Sequence, residues 1–164
     1  MKQLVFISTF LGLMGFHAMV WGQGRPNLVV EIQVERVVEQ VDGSGRVKTV
    51  LEPAETTQRD DVLVYTLRWR NTGDAAASGA VLNDPIPAGT TLLRGSLEGE
   101  GSEATYSVDG EHYSRWPREK VADANGQETW KDVAESSVRH IRLKLAEAVP
   151  PGGQGEASFK VLVQ

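Results

Sequence analysis

Apolar and polar residues alternate along most of this chain with a period of two, the pattern of extended backbone whose side chains point to opposite faces in turn. The clearest window is 61–71, where Leu63, Tyr65, Leu67 and Trp69 fall on one face and Val62, Val64, Thr66, Arg68 and Arg70 on the other. The first set predicts a core face and the second a polar one. Further strands are predicted over 28–38, with Val30, Ile32 and Val34 in phase, and over 46–51. Two more follow, over 138–145 with Ile141, Leu143 and Leu145 in phase, and over 156–163 with Ala157, Phe159, Val161 and Val163 in phase. Hardly any window carries the three-and-four spacing of an amphipathic helix. Short strands separated by turn residues predict an all-β antiparallel sandwich.

Turn chemistry punctuates these runs. Asp109-Gly110, between Tyr106-Ser107-Val108 and Glu111-His112-Tyr113, has the composition of a two-residue hairpin turn, since both residues tolerate positive φ. That register sets Tyr106 opposite Tyr113. Asp42-Gly43-Ser44-Gly45 and Asn125-Gly126 predict further reversals, while Pro85, Pro87, Pro150 and Pro151 mark strand ends because proline donates no ladder hydrogen bond. No repeat recurs along the chain, so it reads as one module and not an array.

The N-terminal stretch differs in kind. Lys2 is the only charge ahead of an apolar run from Leu4 to Trp21, and Val20-Trp21-Gly22 supplies tolerated residues before a cut, which predicts a secretory signal peptide over 1–22. A membrane anchor is the competing reading, because the run is about long enough to span. Gly12, Gly15 and His17 interrupt it, which favours the cleaved signal. The rest, 23–164, is then a single β-sandwich domain of ordinary size. With no cysteine in 164 residues, a lipoprotein is excluded and the exported fold must stand without disulfides. Loss of 1–22 removes one lysine and no acid, taking the net charge from −5 to −6. An acidic exported domain predicts neither nucleic acid nor stable membrane insertion as a partner, and a periplasmic or extracellular monomer is expected.

Several segments share residues with a known family. Asp60-Asp61-Val62-Leu63-Val64-Tyr65-Thr66-Leu67, Asn71-Thr72-Gly73-Asp74-Ala75-Ala76-Ala77, Asn83-Asp84 and Ile86-Pro87-Ala88-Gly89-Thr90 follow one another, and the stretch from Val149-Pro150-Pro151-Gly152-Gly153 to Lys160-Val161 closes the chain. Together they resemble the bacterial conserved-repeat domain of unknown function found in exported and surface proteins. The resemblance implies an immunoglobulin-like antiparallel β-sandwich and a place in the cell envelope. Trp69 stands where that family usually has a smaller β-branched residue, which implies a wider core layer, and Pro85 stands where a threonine is common. In the Asn71-Thr72-Gly73-Asp74 turn, Gly73 suits a positive φ and Asn71 can bond nearby backbone amides.

Catalytic chemistry finds little to build on. Only His112 and His140 remain after 1–22, no serine lies in a nucleophile elbow, and His140 falls on the polar phase of its strand beside Arg139 and Arg142. Asp60, Asp61, Asp74 and Asp84 read as solvated turn acids, because calcium needs six or more oxygens and Asp74 lies at the opposite end of its strand from Asp60 and Asp61. Glu98, Glu100 and Glu103 crowd a glycine-rich loop without the fixed separation that paired catalytic carboxyls require. No enzyme activity, metal or cofactor is expected. The remaining candidates are aromatic: Tyr113, Trp116 and Trp130 flank a polar segment within 114–137, which is longer than a hairpin link needs. These three are the expected contacts to an envelope protein partner or a glycan, with burial at the core edge as the plainer alternative. The expected function is a structural or protein-binding role in the envelope, and the second reading is a carbohydrate-binding or adhesive module using those aromatics.

Overall fold

The computed structural model describes residues 24–99 and 101–164, and the expected export signal at 1–22 lies outside the described residues. Ten strands follow one another: β1 (Leu28–Val41), β2 (Val47–Pro53), β3 (Val62–Asn71), β4 (Val81–Pro85), β5 (Thr90–Leu92), β6 (Ser102–Ser107), β7 (Arg118–Ala122), β8 (Glu128–Asp132), β9 (His140–Leu145) and β10 (Gln154–Val163). A 3-10 turn at Glu135–Ser137 precedes β9. One sheet has the order β2-β1-β3-β10-β5, a second has β4-β9-β6, and β7 and β8 form a separate hairpin. Every strand pair is antiparallel.

The alternation read in the sequence is what closes the core. Leu63, Leu67 and Trp69 of β3 and Ala157, Phe159 and Val161 of β10 share one buried cluster with Leu82 of β4 and Ile141, Leu143 and Leu145 of β9. Apolar faces from the two main sheets therefore meet in a single sandwich-like core. Tyr65 lies opposite Phe159 in the ladder, and their rings stack with centroids 5.4 Å apart. Trp69 lies opposite Gly155, where an added Cβ would fall 2.6 Å from the indole. Glycine there makes the room that the large side chain needs.

Phase, however, does not fix coverage. Val30 and Ile32 lie on the same face as Trp69 and Leu67, yet they are 39% and 52% exposed, because a three-stranded sheet does not reach across all five strands opposite. Conversely, Val64 and Thr66 are buried on the face expected to be polar. Strand β3 is the middle of its sheet, so Val64 is flanked by Glu35 and Lys160, and Thr66 by Gln33 and Ser158.

Two turns differ from expectation. At Asp109-Gly110 only the glycine has positive φ, and Tyr106 pairs with Ser114 instead of Tyr113. Side-chain bonds decide this: the Asp109 carboxylate accepts from the backbone N–H groups of Glu111 and His112, and the Ser107 hydroxyl accepts from those of Asp109 and Gly110. They hold a wider loop than a two-residue turn. Gly73 does not adopt positive φ. Its requirement is steric, since a Cβ would lie 2.1 Å from the Arg25 carbonyl oxygen, where the N-terminal segment crosses the turn.

Candidate functional site

The segment 114–137 is mostly ordered as the β7–β8 hairpin. Its tip is closed by Asp123, whose carboxylate accepts from the N–H groups of Asn125 and Gln127, while Gly126 takes the left-handed conformation. At its base Val133 N–H donates to the Pro117 carbonyl, and Trp116 and Val133 are both buried. The hairpin itself is almost wholly exposed and belongs to neither main sheet.

The three aromatic candidates have different fates. Trp116 is a core residue: its indole N–H donates to the Val133 carbonyl at 3.1 Å, its ring meets Tyr106 at 5.0 Å, and the Arg94 guanidinium lies 4.2 Å from its centroid. With both neighbours in place it offers no open face for stacking. Tyr113 is half-buried beneath Arg142, which sits 3.5 Å from the ring centroid and donates to Asn83. Trp130 alone is open, 55% exposed, beside Lys120 at 5.8 Å from its ring. Lys120 also pairs with Glu128 at 2.9 Å, so a carboxylate and an ammonium border the indole. Cation and aromatic ring attract each other, which steadies the side chain without covering it.

Arg94 carries a second contact that sequence reasoning missed. It bonds Asp132 at 2.9 Å, and Arg118 approaches the same carboxylate at 3.5 Å, tying the hairpin base to the sandwich. No local pattern announces a pair 38 positions apart.

The acidic residues also sort themselves differently from a set of solvated turns. Asp74 accepts from Arg25 N–H at 2.6 Å, and Asp61 accepts from Gln58 N–H and faces Arg36 at 3.7 Å. Glu98 is held in a two-way backbone bridge with Ser158 and pairs with Lys160 at 3.3 Å, so it is anchored to β10 instead of riding a free loop. Asp84 departs furthest. It lies within β4, is 7% exposed, and its Oδ2 atom finds no hydrogen-bond partner among the described residues. Burial raises its pKa above the ordinary carboxylate value, and burial together with the Asp84 charge raises that of the Tyr65 phenol.

A carboxyl with a raised folded pKa binds its proton more tightly in the folded than in the unfolded chain, so its penalty is full above that pKa and shrinks as pH falls through it. Asp84→Asn should therefore stabilise the domain at pH 7, read as a higher melting temperature than that of wild type. The advantage over wild type should narrow in thermal melts on acidification towards pH 4. An equal or lower melting temperature for the variant at pH 7 would refute this.

At the 106–114 loop the surface pair Asp109 and His112 behaves in the ordinary way. Hydrogen bonds from His112 N–H and its ring, from Glu111 N–H and from Ser107 hold the Asp109 carboxyl well below the usual range, and the Asp109 bond and charge raise His112. Both are exposed. Among the described residues no group of three His, Cys, Asp or Glu side chains is placed to hold a metal, and no helix is long and apolar enough to cross a membrane. A groove of about 510 Å³ on the outer face of the five-stranded sheet is lined by Val37, Leu51, Val62 and Val64 together with charged residues that include Glu35 and Lys160. Comparison of the chain with family models, with curated proteins and with solved structures found no match in any of the three.

Proposed function

We propose that this chain is an exported, non-enzymatic, immunoglobulin-like β-sandwich of the conserved-repeat type, with a structural or protein-binding role in the cell envelope or outside the cell. The observation that carries the reading is Trp130, 55% exposed on a hairpin that stands outside both main sheets. Tryptophan is highly buried on average, and interfaces are enriched in it. A rigid scaffold that presents one open indole on a projecting element fits a binding module better than a catalyst, which needs converging groups. The Asn71 turn and the proline-glycine motifs shared with the conserved-repeat family support the same assignment, as does the apolar run before Gln23 for export.

Trp130 also supports a second reading. An open indole bordered by Lys120 and Glu128 combines a stacking platform with hydrogen-bonding groups, which suits a sugar ring. One pair of variants separates the possibilities. Replacing 118–132 with a short Gly-Ser link should leave the circular dichroism of the sandwich intact, because Trp116 and Val133 stay in place and the lost ion pairs are exposed. Trp130→Ala should do the same. Capture of envelope proteins from the native host should fall at least tenfold for both variants. Loss of a glycan-array signal instead would favour the carbohydrate reading, and unchanged capture of either ligand class would remove the hairpin from consideration.

A further inference from the structure

Among the described residues, strand β2 forms an open edge of the five-stranded sheet, bonded on one side only, to β1. Ala54 N–H donates to the Val34 carbonyl and Asp42 N–H to the Arg46 carbonyl, which fixes the phase of that ladder. Even-numbered residues of β2 turn their backbone groups towards β1. Val47, Thr49 and Leu51 turn theirs outwards, where no strand of the described residues meets them. Two of these three carry large apolar side chains, with Val47 63% and Leu51 48% exposed. An apolar open edge is a template for another strand unless something blunts it.

We propose that this edge pairs with the same edge of a second copy of the chain, β2 against β2 in antiparallel register about a two-fold axis at Val50. The strand is self-complementary in that register. Lys48 falls opposite Glu52 of the second copy and Glu52 opposite its Lys48, both on the face shared with Val50, so two cross-strand ion pairs flank a Val50 contact. Thr49 falls opposite Leu51, and their outward N–H and C=O groups meet each other. Parity allows the strands to slide by two residues. One slide sets Lys48 against Ala54 and Glu52 against Val50; the other sets Lys48 against Val50 and Glu52 against Arg46, which lies before β2 and is already paired with Asp42 of its own turn at 3.3 Å. Charge thus favours the register centred on Val50, where Lys48 and Glu52 both find partners within the strand. The apolar groove described above continues to the edge through Thr49 and Leu51, so the second copy extends its wall with its own Leu51 and Thr49. A dimer departs from the monomer expected of the sequence alone.

The test is sedimentation velocity of the purified protein over a range of concentrations. A mass of two chains at tens to hundreds of micromolar is expected, falling to one on dilution. Thr49→Pro removes an outward N–H without touching the β1 ladder and should abolish the dimer while circular dichroism is unchanged. Lys48→Glu and Glu52→Lys each set like charges face to face at two symmetric positions, and each should weaken association about tenfold. The double exchange Lys48→Glu with Glu52→Lys should restore it. That rescue is specific to this register, because a purely structural role for either residue gives no reason for recovery. A single-chain mass at every concentration, or a dimer indifferent to Thr49→Pro and to both charge reversals, would overturn the proposal.

Discussion

Trp69→Ala should destabilise the domain by about 3–5 kcal/mol in a denaturant titration, the usual range for truncating a buried tryptophan. Arg68→Ala, one position earlier and on the opposite face, should move the midpoint by less than about 0.5 kcal/mol. Trp69 is 7% exposed and belongs to the core cluster, whereas Arg68 is a surface residue that bonds Gln33 and pairs with Glu156 at 3.1 Å with both side chains more than half exposed. Such a pair is worth little after solvent screening. Domains of this size have total stabilities of roughly 5–15 kcal/mol, so loss of the indole alone would leave the fold marginal, and no cysteine is present to hold it by a disulfide. Gly155 supplies an internal control. An alanine Cβ there would fall 2.6 Å from the Trp69 ring, so Gly155→Ala should be damaging by itself and much less so when Trp69 is already alanine. Additive effects of the two substitutions would contradict the close packing of ring against glycine.

What the sequence made legible follows from how local each cause is. The alternation from Val62 to Asn71 is long and unbroken, and it identified the core face of β3 correctly down to Leu63, Leu67 and Trp69. The short strands β4 and β5 span at most five residues each, too few to distinguish alternation from chance, and they went unrecognised as strands; β7 and β8 are as short, and it was the turn residues Asn125-Gly126 between them that made a hairpin there legible. Exposure of Val30 and Ile32 depends on how far the opposite sheet extends, which no window around them encodes. The same limit applies to the aromatics. Trp116 and Trp130 look alike in sequence, each in a polar neighbourhood, but the first is held by Val133, Tyr106 and Arg94 while the second projects from a hairpin. Asp84 shows the reverse error. It reads as a solvated turn acid, yet β4 runs to its expected end at Pro85 and turns the Asp84 carboxyl inwards in phase with Leu82. The wide loop at Asp109 came from side-chain capping by Asp109 and Ser107, which competed successfully with the turn that Asp-Gly favours.

Asn71→Ala should be nearly as destabilising as the tryptophan truncation, about 3–4 kcal/mol, although it removes no apolar surface. The side chain has no solvent exposure and uses its full hydrogen-bonding capacity. Its carbonyl oxygen accepts from Asn27 N–H at 3.1 Å and Gly73 N–H at 3.0 Å, and its amide donates to the carbonyls of Ala75 and Val149, both at 2.8 Å. Proximity to Gly73 in sequence foretold the local half of this arrangement. The distant half joins the N-terminal segment, the turn after β3 and the loop before β10, so alanine would take the partner from Asn27 N–H, Gly73 N–H and the Ala75 carbonyl, and would leave the Val149 carbonyl with Ala77 N–H alone. The substitution Asn71→Asp separates geometry from charge. A carboxylate keeps the acceptor role towards Asn27 and Gly73 but directs negative charge at two carbonyl oxygens, which raises the folded-state pKa of the new acid above its unfolded value. At pH 7 the aspartate variant should be at least as unstable as the alanine variant. As pH falls through that raised pKa the protonated acid regains a donor, and the aspartate variant should recover relative to wild type while the alanine variant does not. Denaturant titrations of all three proteins at pH 7 and near pH 4.5 measure both differences; a loss of less than about 1 kcal/mol for Asn71→Ala would mean that water replaces the amide freely and that the three segments are not held together through it.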